Sequence, residues 1–193
     1  MQEVIRDRKL VVIWGSMFSG KTEELLRRLN RAMRAGKKVQ LFKPKVDNRA
    51  GTCVRSHAGR EAEAVVFEKP GEIINLLEPG VDVVGIDEVQ FAGTEIVRVV
   101  KDLLFYGIDV ICSGLDMSYR AEPFPVTMHL AAFSHECVKL SAVCAECGDD
   151  AWVTHRKSEE DALVVIGGAD KYAALCMECR FKAQKGREGN SCR

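Results

Sequence analysis

The eight residues Gly15, Ser16, Met17, Phe18, Ser19, Gly20, Lys21 and Thr22 constrain this chain more than any other stretch. They satisfy G-x-x-x-x-G-K-[ST] at every defined position. An apolar run, LVVIW (Leu10 to Trp14), precedes them. A helical pattern from Thr22 to about Ala35 follows, with Leu25, Leu26, Leu29, Ala32 and Met33 on one face. A buried strand feeding a glycine loop that opens a helix makes an anion cradle. The glycines let backbone N–H groups curl around a phosphate, and the helix N-terminus adds partial positive charge. Lys21 is placed to reach the β- and γ-phosphates of a nucleotide, and the Thr22 hydroxyl to ligate its Mg²⁺. Gly36 is placed to stop the helix.

Beyond the loop, Val39 to Phe42, Ala64 to Phe67, Val81 to Ile86 and Ile108 to Ser113 read as strands. Glu72 to Leu77 and Thr94 to Phe105 read as helices, and the polar stretch from Lys45 to Arg60 as a long loop. Strands that are nearly all apolar and alternate with helices imply an α/β fold with a parallel sheet covered on both faces. The strand VDVVGI ends abruptly in Asp87-Glu88. An acid closing such a strand is how a phosphate-loop enzyme holds Mg²⁺ opposite the loop. Asp87 suits that metal-side role, which leaves Glu88 as general base or water-positioning group.

Near residue 141 the texture changes, and two C-x-x-C pairs follow, Cys144/Cys147 and Cys176/Cys179, with 28 residues between them. Four thiolates in two paired knuckles suit a closed tetrahedral structural zinc site. A zinc ribbon can bind nucleic acid, so the charge decides between roles. From Cys144 to Cys179 there are three basic residues against eight acidic ones, the wrong sign for a phosphate-backbone contact. The whole chain agrees: Lys+Arg 28 against Asp+Glu 28 gives no global positive field. The longest apolar runs are too short to span a bilayer, and MQEVIRDRKL differs from a secretory leader, so a cytoplasmic protein is expected.

These motifs resemble the type II thymidine kinases, the zinc-bearing phosphate-loop family. The resemblance runs from Leu10 to about Arg180. It rests on GSMFSGKT, FKPKVDNR (Phe42 to Arg49), Ser56-His57, IDEVQF (Ile86 to Phe91), SGLDMSYRAEPF (Ser113 to Phe124), the cysteine quartet and VIGGADKY (Val165 to Tyr172). It implies a RecA-like parallel sheet flanked by helices over residues 1–141 and a zinc-binding domain with a lasso loop over 142–181; the last dozen residues, 182–193, have few apolar groups and read as a disordered tail. The implied reaction is transfer of the γ-phosphoryl group of ATP to the 5′-hydroxyl of deoxythymidine. ATP, Mg²⁺ and a structural Zn²⁺ are the implied cofactors.

Residue by residue, the resemblance makes Glu88 the base that takes the hydroxyl proton. Asp47, Asp87 and Gln90 belong to the nucleotide and metal side. Arg49, and Arg120 less directly, sits where a cation steadies the transferring group. The nucleoside would lie among Met17, Phe91, Leu115, Tyr119, Phe124, Thr154, Val165, Ile166, Gly167 and Tyr172, held largely by main-chain groups of the lasso. The bacterial type is implied, because the C-terminal extension of eukaryotic members has no counterpart. Inhibition by deoxythymidine triphosphate and a homotetramer are implied as well, and neither nucleic acid nor membrane is an expected partner. His155 and Trp152 depart from the usual lasso pattern. The rival reading is a phosphate-loop ATPase that acts on nucleic acid through a zinc ribbon.

Overall fold

The computed structural model describes residues 8–46, 52–55, 59, 61–158 and 167–190. Its first elements are strand β1 (Leu10–Gly15), helix α1 (Lys21–Arg34), β2 (Val39–Pro44), β3 (Cys53–Arg55), β4 (Glu61–Glu63), β5 (Val65–Phe67) and the short helix α2 (Glu72–Asn75). Next come β6 (Val83–Ile86), a 3₁₀ turn (Val89–Phe91), α3 (Ile96–Phe105), β7 (Asp109–Leu115), α4 (Pro125–Phe133) and β8 (Glu136–Leu140). The chain continues through β9 (Ala142–Val143), β10 (Asp150–Ala151), β11 (Val153–Arg156), β12 (Tyr172–Leu175) and α5 (Met177–Asn190).

Six strands form one all-parallel sheet in the order β5-β2-β6-β7-β1-β8. Because successive side chains of a strand point to opposite faces, each inner strand feeds two cores. Leu10 and Val12 of β1 join Val84 and Ile86 of β6 under α3 and α4, against Ile96, Val100, Leu103 and Leu130. Val11 and Ile13 face the other way and meet Leu25, Leu26 and Leu29 of α1. That double burial is why these strands are apolar throughout. Each buried leucine of α1 contributes about 1.5–3 kcal/mol. The helix ends where Gly36 takes φ +79°, with the Gly36 N–H donating to the Met33 carbonyl and the Lys37 N–H to that of Ala32.

One expectation needs correction. The supposed long loop from Lys45 to Arg60 carries β3, which pairs with β4 as an antiparallel hairpin. Among the described residues of that hairpin only Val54 buries an apolar side chain, too weak a pattern to read as strands. Helix α4 and edge strand β8 gave no clear sequence signal. β8 keeps Glu136, Cys137 and Lys139 exposed, as an edge that resists further pairing. Helix α5 runs past residue 182 to Asn190, over part of the stretch read as a tail. Ala183 packs on the small core beneath that helix, and Lys182 pairs with Glu178 one turn back.

Gly15 of β1 pairs with Leu140 of β8. Its φ is +152°, and a Cβ would lie 2.2 Å from the Leu140 carbonyl oxygen. Gly15→Ala is therefore expected to destabilise the fold by about 2–3 kcal/mol, as overpacking against fixed backbone does. Urea unfolding reads it as a lowered midpoint at unchanged slope; an unchanged midpoint would show that the β1–β8 spacing relaxes freely.

Candidate active site

In a parallel sheet the C-terminal ends of the strands share one edge, and the loops there form a crevice. β1 delivers the phosphate loop to that edge, β6 delivers Asp87 and Glu88, and β7 delivers Ser113 to Leu115. Gly20 takes φ +81° to open α1, and Phe18 also adopts a left-handed backbone at φ +66°. Lys21 is buried, and its Nζ donates to the Ser16 carbonyl at 2.6 Å, so the lysine folds over its own loop. Thr22 Oγ1 donates to Asp87 Oδ2 at 3.1 Å. Ser113 Oγ donates to the other carboxylate oxygen.

Asp87 is buried, which pushes its carboxyl up, and the neighbouring Glu88 carboxylate adds to that, reaching about 6 despite the Ser113 and Thr22 hydroxyls. A cation beside Asp87 and Thr22 would relieve both penalties, which is the electrostatic condition for a divalent metal site. The donor set, one carboxylate and one hydroxyl next to a phosphate cradle, suits Mg²⁺ rather than a softer metal.

Glu88 follows directly and takes φ +49°, the left-handed region that a non-glycine residue enters only when its surroundings fix it. Here the fixing is visible. Glu88 opens the Val89–Phe91 turn, whose Phe91 N–H donates to the Glu88 carbonyl at 3.0 Å. Gln90 Nε2 donates to Glu88 Oε2 at 2.5 Å, and Gln90 Oε1 accepts the Leu115 N–H at 3.0 Å. Gln90 thus splints the carboxylate to the end of β7. Gly114 permits this approach, since a Cβ there would lie 2.7 Å from Gln90 Oε1.

The residues expected around a nucleoside fall into contacting groups. Phe91 and Phe124 meet edge to face with centroids 6.4 Å apart. The Met17 N–H donates to Thr154 Oγ1 at 3.0 Å, and Ser16 Oγ to the Ala151 carbonyl at 3.2 Å. These bonds tie the phosphate loop to the cysteine-bearing part of the chain, where Phe18 also packs. Tyr119 and Tyr172 meet through Arg156, which the sequence reading had not singled out. Arg120 is exposed, with Nε donating to the Tyr119 hydroxyl at 2.9 Å. Gly167 is half-buried, and a Cβ there would meet the flexible Lys171 side chain rather than backbone. Asp47, Arg49, His57, Val165 and Ile166 lie outside the described residues. Ser113, also unremarked in sequence beyond its place at a strand end, proves to be an Asp87 partner.

The four cysteine sulfurs of Cys144, Cys147, Cys176 and Cys179 all lie within 4.8 Å of one another. Cys147 and Cys176 are 3.7 Å apart, against about 3.8 Å between sulfurs of a tetrahedron with Zn–S near 2.3 Å. At Cys144 the penalty of burial is outweighed by the backbone N–H groups of Cys176, Cys147 and Glu146, which bring its thiol down to about 6. The Cys179 thiol is pushed up instead, first by hydrogen bonding with Cys176 and then by burial. Four crowded sulfurs cannot all ionise without a cation among them, and this donor set fits zinc.

Residues 8–180 match a family model described as thymidine kinase. A thymidine kinase of Pseudothermotoga lettingae is 42% identical over 176 residues, covering 90% of this chain and 95% of that protein. One from Bacteroides thetaiotaomicron is 40% identical over 190 residues, covering 98% and 94%. One from Deinococcus radiodurans is 42% identical over 183 residues, covering 86% of each. Among solved structures, a replication initiator DnaA bound to AMPPCP and single-stranded DNA overlays 69% of this chain and 40% of its own. That overlay, at 16% identity and a TM-score of 0.42, is too loose to carry an argument. Among the described residues, no helix is long and apolar enough to cross a membrane.

Proposed function

The chain belongs to the thymidine kinase family, and from its reaction, ATP-dependent phosphorylation of thymidine, we propose how the site residues divide the work. Gly15 to Thr22 hold the phosphates of ATP, with Lys21 swinging from the Ser16 carbonyl onto the β- and γ-phosphates. Thr22 and Asp87 hold Mg²⁺, which when bound neutralises charge developing on the phosphoryl oxygens. Glu88 accepts the proton of the 5′-hydroxyl as that oxygen attacks the γ-phosphorus and the bond to the β-phosphate oxygen breaks. Gln90 orients Glu88 without touching the reacting atoms. Met17, Phe91, Leu115, Tyr119, Phe124, Thr154 and Tyr172 surround the nucleoside. The splinted left-handed Glu88 carries this reading, because a general base must be held in one place before the substrate arrives.

The same reading divides the chain near residue 141 into a nucleotide-binding unit and a zinc-binding unit. Cytoplasmic residence is a further part of it, as are inhibition by deoxythymidine triphosphate and a homotetramer, the last two supported by the family resemblance alone. Transfer of labelled γ-phosphoryl from ATP-Mg²⁺ to thymidine, deoxyuridine, deoxycytidine and deoxyadenosine tests it. Product with thymidine and deoxyuridine alone is expected. ATP hydrolysed only in the presence of DNA, with no nucleoside product, would favour a nucleic-acid ATPase instead.

A further inference from the structure

Arg156 closes β11 at the position paired with Tyr172 of β12, and it is 2% exposed, the largest fully buried side chain among the described residues. Its guanidinium carbon lies 3.7 Å from the centre of the Tyr119 ring, and Nη2 donates to the Tyr172 hydroxyl at 3.0 Å. A second buried arginine secures the same loop: Arg180 Nη2 donates to the Tyr119 carbonyl at 3.2 Å. Two residues before Arg156, Thr154 accepts the Met17 N–H of the phosphate loop. One short strand therefore braces three separate segments: the phosphate loop, the loop after β7, and the start of β12.

Burying a guanidinium is costly, and an apolar side chain of similar volume would fill the space without that cost. What the guanidinium adds is direction. Its planar face fixes one ring by cation–π contact while its edge fixes the hydroxyl of another, and no apolar side chain does both. We propose that Arg156 is a positioning residue for the nucleoside, setting the relative placement of Tyr119 and Tyr172 as walls of the thymidine site. This rests on the thymidine kinase reading above. Arg156 touches no reacting atom, so its contribution falls on nucleoside binding and not on phosphoryl transfer.

The test is steady-state kinetics of Arg156→Met, Arg156→Lys and Tyr172→Phe in the full zinc-loaded chain, with zinc content and thermal midpoint measured alongside. Arg156→Met is expected to raise KM for thymidine about tenfold or more while kcat and KM for ATP stay within about threefold. Arg156→Lys keeps a cation for Tyr119 but lacks the planar fork, so its KM should fall in between. Tyr172→Phe should raise KM in the wild-type background and add little in the Arg156→Met background, because both remove one hydrogen bond. Equal losses in both KM values and kcat, tracking a lowered midpoint, would reduce Arg156 to a packing element and overturn the proposal. If Arg156→Met fails to fold, unchanged thymidine KM in both Arg156→Lys and Tyr172→Phe overturns it equally. A wild type that transfers nothing to thymidine overturns the reading of the reaction and this proposal together. An active wild type with unaltered variants overturns the proposal alone.

Discussion

Replacing Glu88 by glutamine is expected to lower turnover at least about 10²-fold while ATP still binds, the loss typical of removing a general base. The substitution is nearly isosteric. It leaves the Val89–Phe91 turn and its hydrogen bond to the residue 88 carbonyl in place, so the loss cannot be assigned to a collapsed site. The side-chain oxygen can still accept from Gln90, and the contacts of Lys21, Thr22 and Asp87 are untouched. What disappears is the ability to take up a proton. KM for ATP should therefore stay within about twofold, and the deficit should appear in kcat and kcat/KM alike.

The alternative base, Asp87, is poorly disposed for the role. It is buried, and both carboxylate oxygens are engaged, one by Thr22 and one by Ser113. Glu88 is only half-buried and is held through Oε2 by Gln90. Rapid-quench measurement of the first turnover separates chemistry from product release. A Glu88→Gln enzyme with a near-normal first turnover would remove Glu88 from proton transfer and leave the 5′-hydroxyl to attack unaided.

The parts of this site that were legible in the sequence are local ones. Gly15 to Thr22 carry their own geometry, because strand, glycine loop and helix start lie within a few residues and each residue type has one job there. The apolar strands were legible because burial on both faces leaves no polar position to confuse the pattern. Asp87-Glu88 stood out as a charge step at the end of such a strand. The resemblance supplied Thr154, Tyr119 and Tyr172 as positions, but not what they touch. Met17 and Thr154 are 137 residues apart, and their hydrogen bond exists only because β11 is laid against the phosphate loop. Arg156 carries no periodicity and no motif spacing; its depth emerges only once β11, β12 and the loop after β7 converge. The short hairpin of β3 and β4 escaped for the opposite reason, since three-residue strands with alternating charge look like a solvated loop.

The largest effect on architecture should come from Cys176→Ser. The small core beneath the cysteines consists of Ala142, Cys144, Ala151, Ala174 and Leu175, with Phe18, Cys176, Cys179 and Ala183 packed against it. Side chains that small bury little apolar area, whereas a structural zinc contributes on the order of 10 kcal/mol or more in small metal-dependent modules. The metal rather than the core would then hold β9 to β12 and α5 together. Serine removes one thiolate and the sulfur that accepts the Cys179 N–H at 3.4 Å, so zinc content is expected to fall from about one per chain to near zero. The consequence should reach the nucleotide. With β10 and β11 released, Ser16 loses the Ala151 carbonyl, the Met17 N–H loses Thr154, and Phe18 loses its packing. KM for ATP should therefore rise along with KM for thymidine. Thymidine should suffer more, because Tyr119 and Tyr172 lose the placement that Arg156 and Arg180 give them. Chelation of the wild-type zinc should reproduce both changes, and zinc re-addition should reverse them in the wild type but not in Cys176→Ser. A zinc-free variant with normal affinity for both substrates would show that the phosphate loop stands without its zinc-held brace.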